Sequence, residues 1–450
     1  MKIVIIGMGM IGKTILETLI GEGHTITIID ENREKIESLI ERYDVMGVVG
    51  NGACLDIQLE AGVDTADTVI VVTSSDELNI MACLVAKKAG ADGTIARVRN
   101  PLYRKQVEEM KEELGLSMIV NPELETANEI FNLINLPSIC DIEHFAKGKV
   151  SLVEILVDKG CKLIGETLIT LSKKFKTKVL ICAVQRNGEL VIPSGTFLIE
   201  EGDKISFTAD SRSLGDFLNE INLIKSPFKN VMIVGGGKIG YYLAEALSNK
   251  KYKVKLIENN KAQAEEMAEL LPKVNVTYGD GTQHSVLIEE GIEAMDAFVA
   301  LTDTDETNII VSMFANSQKV RKTITQIKSD ELVKMIGNGV DNNVSPKHIV
   351  ANKVISYVRA IANKRGSNVL TLYRLVNNQV EALEFLAKTE EDFYNKPLKD
   401  LRIKKNCLVA CIIRNNQVII PDGNSCIQLG DNVVVVTTHK SFDDITDLFE

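Results

Sequence analysis

The chain of 450 residues is 45% apolar and 25% charged, a composition that excludes disordered, collagen-like and coiled-coil proteins. Its 51 Lys and Arg against 62 Asp and Glu leave a formal net charge of -11, so nonspecific attraction to nucleic acid or anionic lipid is unfavourable overall. At ~150 residues per domain the length allows about three cores.

From the N-terminus, the β-branched run at 3–6 reads as a strand, 11–21 as a helix, 25–29 as a strand and 33–42 as a helix. Strands follow at 45–49, 68–72 and 94–98, separated by helices near 55–60 and 77–89. This alternation predicts a parallel sheet covered by helices on both faces. Asn100-Pro101 and Asn121-Pro122 each read as an N-cap followed by proline at the first helical position. After about residue 137 the pattern changes. Strands at 152–157, 179–185, 189–192 and 204–207, with Asn187-Gly188 as a hairpin turn, describe a smaller α+β module. No apolar run reaches the roughly 20 residues that a membrane-crossing helix requires. The eight cysteines, at 54, 83, 140, 161, 182, 407, 411 and 426, form no paired CxxC elements and predict a reduced cytoplasm.

The chain is one unit written twice. Lys2-Ile3-Val4-Ile5-Ile6-Gly7-Met8-Gly9-Met10-Ile11-Gly12 reappears as Asn230-Val231-Met232-Ile233-Val234-Gly235-Gly236-Gly237-Lys238-Ile239-Gly240, and Asp30 maps to Glu258 at the same offset. Thr73-Ser74-Ser75-Asp76-Glu77-Leu78-Asn79 matches Thr302-Asp303-Thr304-Asp305-Glu306-Thr307-Asn308, and Arg97-Val98-Arg99 falls on Gln326-Ile327-Lys328. In the small modules Arg186-Asn187 and Gly202-Asp203 recur as Arg414-Asn415 and Gly430-Asp431. The expected organisation is large, small, large, small: residues 1–136, 137–225, 229–364 and 365–450, with a seam around 224–229. The internal second copy also argues that residues 1–11 are structure, not a leader peptide.

Gly7-x-Gly9-x-x-Gly12 follows a buried-type strand and opens a helix, and Asp30 ends the next strand, which is the context that gives this spacing chemical meaning. The first glycine permits a tight turn, the second lets backbone approach a diphosphate, and the third lets helix pack on strand. Helix-start N–H groups then face the phosphates. Asp30 and Glu258 would accept ribose hydroxyls and repel a 2′-phosphate, which favours NAD(H), or an adenine nucleotide such as ATP or ADP, over NADP(H). Lys238 adds a cation to the second loop where Met10 stands in the first. Asn51 and Asp280 read equally as turn residues or as groups bracketing an adenine edge. Thr73-Ser74 and Thr302-Asp303 lie at the carboxyl end of the fourth strand, the ligand side of such sheets. Asp76 and Asp305 are candidate helix caps. Arg97 reads evenly as a phosphate ligand or as a partner to a neighbouring subunit's carboxylate.

Catalytic signals are sparse. None of the nine tyrosines is followed by a lysine four residues on. His24, His144, His284, His348 and His439 show no metal spacing and no evident carboxylate partner in sequence. Cys407 and Cys411 read as small buried hydrophobes on one face of a strand. No residue is marked as a catalytic nucleophile or metal ligand.

The residues 2–12, "TSSDELN" at 73–79, "ARVRNP" at 96–101 and "NPELETANEI" at 121–130 together resemble the TrkA family, the peripheral NAD-binding subunits of bacterial and archaeal Trk potassium uptake systems. The tandem arrangement is similar to that family's two RCK (regulator of potassium conductance) N-lobes, each followed by a C-lobe. The resemblance implies two Rossmann-type doubly wound parallel sheets, each followed by a small α+β C-lobe. It implies nucleotide contacts at Gly7, Met8, Gly9, Met10, Ile11, Gly12, Asp30, Asn51, Thr73, Ser74 and Arg97. In the second copy it implies them at Gly235, Gly236, Gly237, Lys238, Ile239, Gly240, Glu258, Asp280, Thr302 and Asp303, with Gln326 departing from the arginine of the first. It further implies a membrane-embedded, TrkH-like potassium channel subunit as partner, a homo-oligomeric, tetrameric ring, and a peripheral place on the inner membrane face. Assembly is expected through the helices after Pro122 and Pro346 and through the small modules. The reading outside the resemblance is a soluble NAD-dependent oxidoreductase with two active sites. Without a helix-turn-helix or a basic face, a nucleic-acid partner is disfavoured.

Overall fold

The computed structural model describes residues 1–135, 139–145, 148–157, 159–186, 188–223, 228–336, 339–340, 342–363, 369–375, 380–388, 391–439, 442 and 444–449. The expected seam lies mostly outside these residues, as does Asn187 of the expected hairpin turn. The first repeat runs β1 (Lys2–Ile6), α1 (Met10–Leu19), β2 (Thr25–Asp30), α2 (Arg33–Arg42), β3 (Met46–Val49), α3 (Leu55–Glu60), β4 (Thr68–Val71), α4 (Asp76–Ala89), β5 (Gly93–Arg97), α5 (Pro101–Glu109), β6 (Met118–Val120) and α6 (Pro122–Asn135). Its small module contributes β7 (Ile139–Phe145), β8 (Val150–Leu156), α7 (Leu168–Lys174), β9 (Val179–Arg186), β10 (Glu189–Val191), β11 (Lys204–Asp210) and α8 (Leu214–Glu220). The second repeat runs β12 (Asn230–Val234), α9 (Lys238–Asn249), β13 (Lys253–Glu258), α10 (Lys261–Leu270), β14 (Asn275–Tyr278), α11 (His284–Glu289), β15 (Ala297–Ala300), α12 (Asp305–Ser317), β16 (Lys322–Gln326), α13 (Asp330–Ile336), β17 (Asn342–Val344) and α14 (Pro346–Asn363). The second module holds β18 (Val369–Leu375), β19 (Val380–Leu386), β20 (Cys407–Arg414), β21 (Gln417–Ile419) and β22 (Asn432–Thr437).

The large sheets are parallel, in the orders β3-β2-β1-β4-β5-β6 and β14-β13-β12-β15-β16-β17. The order reverses between β1 and β4, and between β12 and β15, which is where open α/β sheets take ligands. Residues Ile3 to Ile6 are all buried because both faces are covered, which is why the strand lacks polar alternation. Prolines open α5 and α6 where expected, and the Asn121 Oδ1 accepts the Leu124 amide at 3.0 Å to cap α6.

The chain divides into two compact units, Met1–Asn135 with Phe228–Val358 and Leu136–Pro227 with Arg359–Glu450. Within the first unit, the last helix of each repeat covers the sheet of the other. Ala127, Ile130 and Ile134 of α6 join the core of Val231, Ile233, Leu243 and Leu256. Val350, Ala351, Val354, Ile355 and Val358 of α14 join Ile3, Ile5, Ile15 and Ile28. Lys353 of α14 pairs with Glu125 of α6 between them. The helices after Pro122 and Pro346, expected to join separate chains, thus join the two repeats of one chain. An apolar helix face in the sequence does not say which sheet it covers.

In the second unit each module is a five-stranded antiparallel sheet, in the orders β10-β9-β11-β8-β7 and β18-β19-β22-β20-β21, so their strand sequences correspond one to one. The two sheets meet through Phe145, Leu152, Cys182 and Ala183 on one side and Val380, Ala410, Cys411 and Val434 on the other. Cys407 and Cys411 do not share a face. The register shifts between Val409 and Cys411, a bulge that reverses the alternation, so Cys407 joins the Phe385 core while Cys411 joins the contact between sheets. Burial pushes the Cys182 and Cys411 thiols up to about 12 in both cases, so both stay protonated.

The repeated Arg and Asp of the modules form one structural device used twice. Arg186 Nε donates to Asp203 at 2.7 Å and its Nη2 at 2.8 Å, while Arg414 reaches Asp431 at 2.9 and 2.8 Å. Burial of Asp203 opposes ionisation, but Arg186 and the Glu200 amide together hold its carboxyl below the usual carboxylate range. A depressed folded pKa supplies stability above the unfolded value and loses it as pH falls through the folded one. Acid titration followed by circular dichroism is therefore expected to show stability declining below about pH 4, with Asp203→Asn weakening that dependence; an unchanged profile contradicts the pairing.

The exchanged helices generate a second prediction. Ile130→Ala truncates a fully buried side chain and should cost about 2–5 kcal/mol in denaturant unfolding. Faster amide exchange should appear in β12 and α9, on the opposite repeat from the substitution. Loss confined to β1 and α1 would contradict the exchange.

Candidate nucleotide-binding sites

Each site begins where a fully buried strand must turn sharply into a helix. Gly7 has φ +97° and Gly235 φ +108°, backbone that favours glycine, and a Cβ on either would lie within 3 Å of the strand-end backbone at Thr73 or Leu301. Gly12 and Gly240 set the helix against the turn: a Cβ there would meet the Gly7 carbonyl oxygen at 2.1 Å and the Gly235 oxygen at 2.3 Å. Gly9 and Gly237 are different. They occupy the N-cap positions of α1 and α9 in extended backbone, no side chain caps either first turn, and a Cβ on either meets nothing within 4 Å. The space in front of both helix N-termini is open, which fits a diphosphate approaching the backbone amides.

The acids sit where expected and brace the loops. Asp30 Oδ2 accepts the Met8 amide at 2.7 Å and its Oδ1 accepts the Asn32 amide at 2.9 Å. Glu258 repeats this, accepting the Gly236 amide at 2.6 Å and the Asn260 amide at 2.7 Å. Gln263 Nε2 also donates to the Gly236 carbonyl at 2.7 Å, so the second loop is held at both ends of one residue. A carboxylate oxygen has two lone pairs, so each acid retains acceptor capacity for a ribose hydroxyl. Met8 is buried, whereas Met10 and Lys238 are exposed at the mouths of their loops. Ile11 and Ile239 lie half-buried in the first helical turns.

Asn51 and Asp280 act as turn residues. Asn51 Oδ1 accepts the Ala53 amide at 2.8 Å, and Asp280 Oδ1 accepts the Thr282 amide at 3.0 Å. The Thr282 hydroxyl and amide hold the Asp280 carboxyl below the usual range. Both residues nevertheless follow the third strand on the glycine-loop side, since the Gly50 amide donates to the Asp30 carbonyl at 3.1 Å.

The loops after β4 and β15 are organised by residues for which no role was expected. Asn79, fully buried, accepts from the Thr73 amide at 2.9 Å and hydroxyl at 2.6 Å, and donates to the Arg97 carbonyl at 2.9 Å. Asn308 does the same between Thr302 and Gln326, at 2.7, 2.7 and 3.0 Å. These amides lock Thr73 and Thr302 at the strand ends. The signal was an asparagine at the same place in both copies. Asp76 and Asp305 are not the caps. Ser75 caps α4 by accepting the Leu78 amide at 3.2 Å, and Thr304 holds the corresponding position on α12. Asp76 Oδ2 instead accepts the Arg99 and Asn100 amides at 2.9 and 2.7 Å, and Asp305 Oδ2 those of Lys328 and Ser329, both at 2.8 Å. A carboxylate one residue inside the helix can reach the next strand's loop, which its place in sequence does not reveal.

Arg97 Nη2 donates to the Thr73 carbonyl, placing its guanidinium behind the fourth-strand loop. Burial first, then the neighbouring Arg99 charge, lowers its pKa. Arg99 Nη2 donates to the Ser74 carbonyl at 2.7 Å, and Lys328 Nζ to the Asp303 carbonyl at 2.8 Å. Two histidines have carboxylates nearby after all: His348 Nε2 lies 2.7 Å from Asp330 Oδ1, and His24 Nε2 lies 3.7 Å from Glu22. Asp330 comes from a different helix than His348, so the fold makes that pair. His284 stacks on Phe314 at 3.8 Å. An open cleft of about 640 Å³ lies in the second unit, lined by Lys176, Asp210, Asp216, Glu220, Val418 and Ile420 among others.

Two parallel sheets with glycine-loop sites at their switch points, each followed by an antiparallel module, define a tandem Rossmann-type protein of the RCK class. The profile of the TrkA-N domain matches residues 3–122 and 231–346, and that of the TrkA-C domain matches 152–222 and 383–450. The chain belongs to the TrkA family. It is 32% identical over 459 residues to the Trk system potassium uptake protein TrkA of Vibrio alginolyticus, covering 100% of this chain and 99% of that one. It is also 32% identical over 459 residues to the TrkA homolog 1 of Methanosarcina mazei, covering 100% of both. Among solved structures, the GsuK channel bound to NAD superposes with a TM-score of 0.65 at 19% identity, over 97% of this chain and 76% of that chain.

Glycine substitutions separate the roles in these loops. Gly9→Ala should leave the melting temperature essentially unchanged, because its Cβ meets nothing, yet weaken NAD binding at least ~10-fold, about 1.4 kcal/mol. Gly12→Ala should lower the melting temperature, because its Cβ meets backbone. Calorimetric binding together with thermal unfolding checks both; a Gly9→Ala chain that binds NAD normally contradicts the site.

Proposed function

We propose that this chain is the nucleotide-sensing regulatory subunit of a Trk-type potassium uptake system and controls a membrane-embedded, channel-like partner by binding, without chemistry on the nucleotide. The observation that carries this reading is the pair of open helix N-termini at Gly9 and Gly237, together with a full-length match to Trk system potassium uptake proteins. Residues 1–136 and 229–364 would be the sensing lobes, and 137–225 and 365–450 the small lobes attached to them.

In each site the glycine-loop amides would hold the diphosphate, and Asp30 or Glu258 would hold a ribose while continuing to brace its loop. Thr73 with Ser74, and Thr302 with Asp303, stand at the strand ends toward the second half of the nucleotide, with Arg97 behind the first of them. NAD(H) suits both acids, since either repels a 2′-phosphate; ATP and ADP share the adenosine and diphosphate that the same groups take. Nη2 of Arg97 already serves the Thr73 carbonyl, which supports a charge placed behind the loop for an anionic ligand more than a contact to a second chain.

The mechanism is linkage. A nucleotide that fits one arrangement of the lobes better than another shifts the population toward it, and only the difference in affinity counts. A coupling of about 1–3 kcal/mol changes the partner's open probability roughly 5- to 150-fold. No helix among the described residues is long and apolar enough to cross a membrane, so the partner supplies the permeation path. The proposed setting is a homo-oligomeric ring, a tetramer, against the inner membrane face.

Potassium flux through the reconstituted partner, measured with and without NAD, NADH, ATP and ADP, tests the reading. Flux should respond to at least one nucleotide, and the response should vanish with the Gly9→Asp, Gly237→Asp double variant. Flux indifferent to this chain, or sustained substrate-dependent oxidation of NADH by it, contradicts the reading.

A further inference from the structure

Among the described residues, the link from the loop after the fourth strand to the last helix of its repeat is built on Arg99 and Glu123 in the first repeat. Arg99 Nη2 donates to the exposed carbonyl of Ser74 at 2.7 Å, its Nε lies 3.8 Å from Asp76 Oδ1, and its Nη1 lies 3.9 Å from Glu123 Oε1 in the first turn of α6. Both ion pairs are longer than a hydrogen bond. Asp76 Oδ1, Arg99 Nε and Glu123 Oε2 are buried and have no hydrogen-bond partner among the described residues. Such groups are costly to leave unsatisfied, so this cluster gains from any movement that shortens its contacts.

The cluster continues into the second repeat. Asn121, which caps α6, donates to the Arg99 carbonyl at 3.3 Å and to the Tyr242 hydroxyl at 3.5 Å. Tyr242 lies one turn into α9, the helix whose N-terminus is the second glycine loop, and α6 packs along that helix. A short run of contacts thus leads from Ser74 at the first site, through Arg99 and the start of α6, to the helix of the second site.

The second repeat keeps the first part of this cluster and not the rest: Lys328 Nζ donates to the Asp303 carbonyl at 2.8 Å, as Arg99 does to Ser74, and Asp305 Oδ1 is likewise buried without a hydrogen-bond partner among the described residues. Lys328 replaces Arg99, and at the place of Glu123 stands Lys347, a like charge that pairs with Asp330 at 2.8 Å instead. Ser345, at the place of Asn121, has a buried hydroxyl without a partner among the described residues.

We propose that Arg99 and Glu123 couple the two nucleotide sites of one chain, so that filling the first site changes affinity at the second. This rests on the nucleotide-binding reading above. Arg99 acts as a positioning residue: a ligand against Thr73 and Ser74 moves the Ser74 carbonyl, Arg99 follows it, and the pull on Glu123 shifts α6 against α9. Linkage makes the effect reciprocal.

The test is calorimetric titration of the full chain with NADH, in wild type, Gly9→Asp, Gly237→Asp and Glu123→Gln, with Arg99→Gln as a second probe. In wild type the second site's affinity should differ at least ~5-fold from that of the Gly9→Asp chain, in which the first site stays empty, about 1 kcal/mol of coupling. Glu123→Gln and Arg99→Gln should each reduce that ratio to within about twofold of one. Glu123→Gln should leave each single-site affinity, measured in the Gly9→Asp and Gly237→Asp backgrounds, unchanged within twofold. NADH bound at both sites with wild-type coupling retained in both variants overturns this proposal and leaves the nucleotide reading intact. No NADH binding at any site overturns both.

Discussion

The structure depends on an exchange of cover. Each parallel sheet presents an apolar face that its own repeat does not close, and the closing helix comes from the other repeat. Val354 and Val358 of α14 lie against the first sheet, and Ile130 and Ile134 of α6 against the second. Each core is thus completed by a helix of the other repeat, and the two α/β folds share one compact unit. Apolar burial of this kind contributes about 25 cal/mol per Å² removed from water.

On that frame the site chemistry is mostly backbone. Gly7 and Gly235 turn the chain, Gly12 and Gly240 let the helix approach, and Gly9 and Gly237 keep space open in front of the helix start. Side chains mainly hold backbone in place: Asp30 and Glu258 brace the loops, Asn79 and Asn308 lock the strand ends, and Asp76 and Asp305 fix the loops after β5 and β16. A site made of braced amides presents positive potential toward the open space at the helix start. That character suits a sensor, and the difference between Arg97 and Gln326, and between Met10 and Lys238, gives the two copies different charge around a common scaffold.

Much of this was legible in the sequence because it is local. Strand-helix alternation, the glycine spacing, the proline-started helices and the duplication are patterns over a few residues or repeats of them, and elements such as α2 and α3 fall where periodicity places them. What was not legible depends on three dimensions. The apolar face of α6 does not say which sheet it covers. Strands β7 and β18, seven residues each, follow directly on a long helix where the pattern changes, and no local signal marks their start. The bulge before Cys411 turns a face that alternation alone assigns to Cys407 as well. Asp76 looks like a cap and is an anchor, and the pairing of His348 with Asp330 exists only because α13 and α14 meet.

The central claim is that both glycine loops bind a dinucleotide and return it unchanged. Fluorescence titration of the full chain with NADH tests this most directly, since the chain contains no Trp to interfere. The account predicts saturation at two equivalents per chain, with all the NADH recovered in reduced form. Absence of saturable binding, or steady oxidation of the bound NADH, would contradict it.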